Sequence, residues 1–255
     1  VPSTTQLLNG TMMEFLRLTK DYYIAPESRA FAVLGTVHHE RLSEDDGITE
    51  QTFADARNTG TCDVLEPEDG GYALIDYKTW GSYRVARFLG LVAELVDDPN
   101  GETYKRAGTR GDGSKYYAGQ VKQVKLWRPN PLVADTQEVG LQLNDYRLKA
   151  EKYGFHIVRL QVQITVRDGG LQAARDRGIT FKMKLFPVEV LPDAEVTGYF
   201  TKKAAHLSMA LARGKCEAVC TQEENWDGVR CKEYCDVAEF CPLGLELKTG
   251  GQGDS

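Results

Sequence analysis

Residues 60–79 read GTCDVLEPEDGGYALIDYKT, with one aspartate, Asp63, in a short apolar strand and the triplet Asp76-Tyr77-Lys78 at the end of a second. Alternate residues of a strand share a face, so Asp76 and Lys78 must point the same way, toward whatever lies beside Asp63 on the neighbouring strand. Two carboxylates and an ammonium then converge on one spot. That set suits phosphodiester hydrolysis. Hard oxygen ligands hold Mg²⁺ or Mn²⁺, the metal makes a nucleophile of bound water, and a lysine orients that water while neutralising charge. An Asp-x-Lys triplet alone also makes an ordinary surface ion pair, so the surrounding segments decide between the two.

Upstream, residues 27–43 (ESRAFAVLGTVHHERLS) carry apolar residues at helical spacing and include His38, His39 and Glu40. An imidazole added to two carboxylates shifts a site from Mg²⁺ toward Mn²⁺; a lone helical histidine otherwise reads as a satisfied, half-buried side chain. Downstream, residues 137–154 (QEVGLQLNDYRLKAEKYG) predict a helix closed by a glycine. Gln142 and Tyr146 lie four apart on one face of it, placed either to touch a phosphate or a base or to pack on the sheet.

Gly35-Thr36…His39-Glu40, Gly60…Asp63, Asp76-Tyr77-Lys78 and Gln142…Tyr146 follow one another in an order that resembles the PD-(D/E)XK nucleases. The likeness is to the RecB-like branch with iron–sulfur CRISPR-associated and phage exonucleases. Residues 76–90, 166–178 and 226–242 also look like phage and prophage members, so the likeness covers most of the chain. It implies an α/β fold: a restriction-endonuclease-like core, with a central mixed sheet flanked by helices, and a C-terminal cysteine-ligated lobe. It implies His39, Asp63, Asp76 and the Tyr77 backbone carbonyl as ligands to one or two Mn²⁺ or Mg²⁺ ions. Lys78 becomes the catalytic lysine, with Gln142 and Tyr146 as a further motif. His38 would exchange roles with His39 after a one-residue slip.

The chain has six cysteines, and five of them, Cys216, Cys220, Cys231, Cys235 and Cys241, fall in the last 40 residues. Such crowding argues for a metal centre. Disulfides fit less well, because the chain opens without a charged-then-apolar signal segment. Four thiolates serve a structural Zn²⁺, although the spacing is uneven for a zinc knuckle. The branch of the resemblance instead holds a 4Fe–4S cluster with such a C-terminal triplet and one distant cysteine. We therefore expect the cluster on Cys220, Cys231, Cys235 and Cys241, with Cys216 in reserve and Cys62 a small buried core residue.

With 31 Lys and Arg against 37 Asp and Glu, the formal charge is −6, unlike a protein that binds duplex DNA by bulk charge. One stretch is locally basic. Residues 105–128 hold seven Lys and Arg against one Asp, with aromatics interleaved. Lys115, Tyr116, Lys122, Lys125, Trp127 and Arg128 are thus candidates for single-strand contact, the alternative being a solvated loop and a strand that buries Val121, Val124 and Leu126. Strands are predicted over 156–166 and 181–191, a turn at 167–170, and an amphipathic helix over 193–213 with Asp193 as its cap.

The organisation expected is a nuclease domain over 1–213, a four-cysteine lobe over 214–243 and a disordered tail over 244–255. The function expected is a metal-dependent deoxyribonuclease, most consistent with a single-strand exonuclease. It would be cytoplasmic and prokaryotic or phage-encoded, off the membrane, and associated with recombination, repair or CRISPR-adaptation proteins. A catalytically silent DNA-binding subunit on the same fold and an iron–sulfur redox protein are the competing classes.

Overall fold

The computed structural model describes residues 1–24, 26, 30, 33, 47–110 and 113–249. Along the chain run α1 (Thr4–Leu8), α2 (Thr11–Thr19), β1 (Ile48–Ala54), β2 (Thr59–Glu68), β3 (Gly71–Trp80) and α3 (Ser82–Phe88). They are followed by β4 (Leu91–Asp97), β5 (Gly108–Thr109), β6 (Lys115–Tyr116), β7 (Gln123–Pro129), α4 (Gln137–Lys152) and β8 (Ile157–Val166). The last elements are α5 (Gln172–Arg175), β9 (Met183–Pro187), α6 (Asp193–Arg213), α7 (Gln222–Asn225) and α8 (Pro242–Thr249). His38 and His39 lie outside the described residues.

A mixed five-stranded sheet has the order β1-β2-β3-β8-β9, which makes the fold α/β. β1 pairs antiparallel with β2, and β2 antiparallel with β3. Two two-stranded ribbons, β4-β7 and β5-β6, stand apart from it in pairing. The chain divides into two compact units, residues 1–78 with 137–163 and 185–255, and residues 79–136 with 164–184. Residues 214–243, expected as a lobe of their own, thus share a unit with α1, α2 and α4. The tail expected from residue 244 is helical as far as Thr249. Among the described residues no helix is long and apolar enough to cross a membrane.

α6 matches its predicted span and shows why it forms. Its buried residues, Val196, Phe200, Lys203, Leu207 and Ala210, are spaced four, three, four and three apart, so one stripe faces inward. Lys203 keeps its place in that stripe by donating to the Asn9 carbonyl at 2.6 Å and to Glu224 Oε1 at 2.5 Å. Gly214 ends the helix with φ 64°, a left-handed turn that glycine takes without strain. Asp193 is the first helical residue rather than the cap, and its carboxylate accepts from Arg147 Nη2 at 2.6 Å. In β7 the alternation slips between Val124 and Trp127, which are partly buried, so Leu126, expected inside, faces outward at 37% exposure.

α4 is buried on every face from Leu141 to Ala150, although that stretch includes Gln142, Asn144, Asp145, Arg147 and Lys149. Buried polar groups must find partners, and these do. Asn144 donates to the carbonyls of Gly140 and Glu189, and its Oδ1 accepts the Leu191 N–H. Asp145 and Lys149, both fully buried, form an i,i+4 ion pair. Asp145 Oδ2 also accepts from Thr4 Oγ1 and from Asn58 Nδ2, each at 2.7 Å. Removing one partner of such a pair leaves a buried charge, so Lys149→Met should lose about 3–5 kcal/mol of stability. Asp145→Asn/Lys149→Met, which keeps an oxygen for Thr4 and Asn58, should recover most of the loss. Urea unfolding of the three proteins measures both.

Candidate active site and cysteine pocket

The antiparallel ladder of β2 and β3 runs from Glu68↔Gly71 to Val64↔Ile75. Asp63 and Asp76 are the next residues on each strand, and facing positions in an antiparallel pair bring side chains close together. There a side chain takes over from the backbone, since the Tyr77 N–H donates to Asp63 Oδ2 at 2.6 Å. On the other flank, the β1–β2 register passes from Thr49↔Val64 to Gln51↔Cys62. Glu50, across from Asp63, has φ 51°, left-handed and unusual for a residue with a side chain. Asp63 is 9% and Asp76 2% exposed.

Lys78 reaches back along β3 to place Nζ 2.7 Å from Asp76 Oδ2, with its own side chain 22% exposed. The shared face expected of Asp76 and Lys78 is therefore present. Burial pushes the Lys78 pKa down, but the charge and hydrogen bond of Asp76 outweigh it, and Asp63 and Glu138 add to the upward shift. Lys78 is an ammonium at neutral pH. It can orient and stabilise negative charge but holds its proton too firmly to act as a base.

α4 brings two side chains to Asp76. Gln142 Nε2 lies 3.3 Å from Asp76 Oδ1 and 2.9 Å from the Tyr146 hydroxyl, so the two helix residues and the strand aspartate form one chain of contacts. Burial raises the Tyr146 pKa, with the Asp76 charge acting in the same direction, and the phenol stays neutral. A side chain on Gly60 would put its Cβ 2.6 Å from Tyr146 Cε1 and 2.8 Å from Thr4 Oγ1, so only glycine lets Tyr146 in. Glu138 joins this group from the start of α4. It precedes Gln142 by one turn, so Glu138, Gln142 and Tyr146 share a helix face, and the fold brings the Glu138 charge to bear on Lys78.

Among the described residues, no three His, Cys, Asp or Glu side chains are gathered so as to hold a metal ion. The Asp63 and Asp76 carboxylates and the Tyr77 carbonyl are hard oxygen donors, the type that Mg²⁺ and Mn²⁺ take. His39 lies outside the described residues.

Cys220, Cys231, Cys235 and Cys241 line one pocket together with Met13, Leu16 and Val237, whereas Cys216 is absent from its lining. Gly10 lets Cys220 approach, since a Cβ there would fall within van der Waals overlap of Cys220 Sγ. The backbone amides of Met13 and Val237 act to lower the pKa values of Cys220 and Cys235, although burial outweighs them and pushes the Cys220 thiol up to about 11. Arg17 spans the pocket's surroundings, bonded to Glu14 at 3.0 Å and to Asp236 at 2.7 Å. Cys62 is fully buried and its thiol is raised by burial, as a core residue should be.

The residues proposed for strand contact belong to the second unit. Tyr116 is stacked on Tyr104 with centroids 4.0 Å apart, and the Arg110 guanidinium lies 5.7 Å from each ring. Lys122 pairs with Glu102 at 2.6 Å, and Arg128 Nε lies 3.4 Å from Glu94. Trp127 is half-buried, close enough to Gly178 that a Cβ there would come within 2.9 Å of it. Lys115 and Lys125 are exposed.

A scan against models of known protein families finds no match, and a search of curated proteins finds none either.

Two outcomes follow from the geometry. Asp63→Ala leaves the buried Tyr77 N–H without its acceptor and should cost about 1–3 kcal/mol, whereas Asp63→Asn retains an oxygen and should lie near the wild type in thermal unfolding. A raised Lys78 pKa means that the native state binds this proton more tightly than the unfolded chain does. Its contribution is complete below the ordinary lysine value of 10.5 and is lost as pH rises through the higher native value. The stability difference between wild type and Lys78→Met should therefore be level through neutral pH and shrink only above 10.5.

Proposed function

We propose that the protein is a divalent-metal-dependent deoxyribonuclease on a restriction-endonuclease-like core, acting on single-stranded DNA ends as an exonuclease. The observation that carries this reading is the Asp76 carboxylate, engaged at once by Lys78 and by Gln142 while Asp63 faces it from the next strand. These positions are scattered from residue 63 to residue 146, and their meeting in one place is what a working site requires and a chance surface ion pair does not.

Asp63, Asp76 and the Tyr77 carbonyl, with His39, are the residues that would hold a hard divalent cation, whose chemistry there is Lewis acidity at the scissile phosphate. Lys78 brings its ammonium to the same place and stabilises the charge that develops on the phosphate oxygens during in-line attack by water. Asp76 holds that ammonium in position. Gln142 fixes the other oxygen of Asp76, and Tyr146 fixes Gln142, so the carboxylate does not have to reorganise during the reaction. The neutral Tyr146 phenol adds no negative charge beside a polyanionic substrate.

In the same reading Cys220, Cys231, Cys235 and Cys241 hold a 4Fe–4S cluster, with a structural Zn²⁺ as the alternative. Their common pocket supports it, and the Met13 and Val237 backbone amides favour the thiolate form of two of the sulfurs. Hydrogen bonds to sulfur are one of the ways a protein tunes such a cluster. The pocket also includes Met13 and Leu16 of α2, so a bound centre would fasten the C-terminal segment to the first helices.

Asp76→Ala and Lys78→Ala should each abolish Mn²⁺-dependent cleavage of end-labelled single-stranded DNA while circular dichroism stays that of the wild type. Full cleavage by either variant removes the assignment. Protein purified without oxygen should show a broad visible absorption that Cys235→Ala loses; a colourless protein carrying stoichiometric zinc decides for the alternative.

A further inference from the structure

Charge is divided between the two units far more unevenly than the net −6 of the chain suggests. Residues 79–136 and 164–184 hold 14 Lys and Arg against 8 Asp and Glu, whereas the rest of the chain holds 17 against 29. A unit of net +6 thus belongs to the same chain as one of net −12. A uniformly solvated surface has no need of such a separation, and a polyanion is the partner that rewards it.

Within the positive unit, part of the charge is already committed. Lys122 and Arg128 face Glu102 and Glu94, Arg84 and Arg87 share Asp135, and Arg177 donates to Ser82 Oγ at 2.9 Å. Lys105, Arg106, Lys115 and Lys125 are exposed. The aromatics divide in the same way. Tyr116 is occupied by Tyr104, and Trp127 is half-buried, but Tyr117 is 65% exposed. Its backbone is held in a turn, with its N–H donating to Gln120 Oε1 at 3.0 Å and its carbonyl accepting the Gln120 N–H at 3.1 Å. An aromatic face presented on a fixed turn two residues from the exposed Lys115 is the combination that binds unpaired bases.

We propose that the unit of residues 79–136 and 164–184 is a grip for single-stranded DNA. Lys105, Arg106, Lys115 and Lys125 contact phosphates, and Tyr117 stacks on a base. The choice of DNA as the polyanion rests on the nuclease reading above; the charge separation does not. Stacking distinguishes the single strand from duplex, whose base faces are covered.

The test is fluorescence anisotropy of the whole chain with a labelled oligothymidylate in EDTA, where no cleavage occurs. Replacing the four cations by Gln (Lys105→Gln, Arg106→Gln, Lys115→Gln, Lys125→Gln) should weaken binding at least tenfold. It should also lower the slope of log affinity against log salt by about 3, since each single-strand phosphate contact contributes about 0.7. Tyr117→Ala should weaken binding about five- to a hundredfold with the slope unchanged. Unchanged affinity and slope in the fourfold variant overturn the proposal, as does equal competition by polyglutamate, which would make the partner an acidic polypeptide. Asp76→Ala separates the two readings. If it cleaves normally while the fourfold variant loses binding, the nuclease assignment falls and the grip stands; if it is inactive while the fourfold variant binds as wild type does, the reverse holds.

Discussion

The all-round burial of α4 is the constraint on which the first unit depends. A helix with polar residues on several faces cannot be enclosed unless each of those residues has a partner waiting, because an unpaired buried charge costs several kcal/mol, roughly as much as the net stability of a small domain. Here the partners come from far along the chain. Thr4 and Asn58 reach Asp145, the backbone around Glu189 and Leu191 reaches Asn144, and Asp193 reaches Arg147. The amino-terminal segment is drawn in with them, with Thr59 donating to the Pro2 carbonyl at 2.9 Å. Once α4 is fixed in this way, Gln142 and Tyr146 have no choice but to face Asp76.

The candidate site is built where regular pairing stops. Backbone groups that face one another in a ladder satisfy each other and leave side chains to diverge; past Val64 and Ile75 the Asp63 carboxylate takes the Tyr77 N–H instead. The result is a concentration of negative charge on buried strand ends, stabilised by the Lys78 ammonium and by the amide of Gln142. Such an arrangement has a ready use in binding or stabilising charge, since its dipoles are set before any ligand arrives. The left-handed backbone at Glu50, on the far side of Asp63, is strain of about 1–3 kcal/mol that the surrounding sheet sustains.

The two units differ in what they do with charge. The first carries most of the acidic residues, and several of them are spent on internal contacts: Glu14 with Arg17, Glu224 with Lys203, Asp145 with Lys149. In the second, Asp168 accepts both the backbone N–H and the hydroxyl of Ser82, at 2.7 and 2.5 Å, and so ties the start of α3 to the turn after β8. That turn, Arg167-Asp168-Gly169-Gly170, was evident from its residues; its use as a clasp for α3 was not.

Much of this was legible because it is local. The 4-3-4-3 stripe of α6, the glycine that ends it, the strand that puts Asp76 and Lys78 on one face, and the crowding of cysteines near the carboxyl end all follow from spacing along a few turns or pleats. What spacing does not contain is which distant segment lies opposite. The enclosure of α4, the need for glycine at position 60, the reach of Glu138 to Lys78 and the stacking of Tyr116 on Tyr104 each join residues whose periodicity is silent about the other. Sequence by itself determined the helices over 137–152 and 193–213, the strand over 157–166 and the shared face of Asp76 and Lys78, because side-chain period depends on backbone geometry alone. Tertiary structure decided which aromatic and cationic groups remain available, because a partner met across the fold, such as Tyr104 or Glu102, removes a side chain from use without altering the pattern in which it was written.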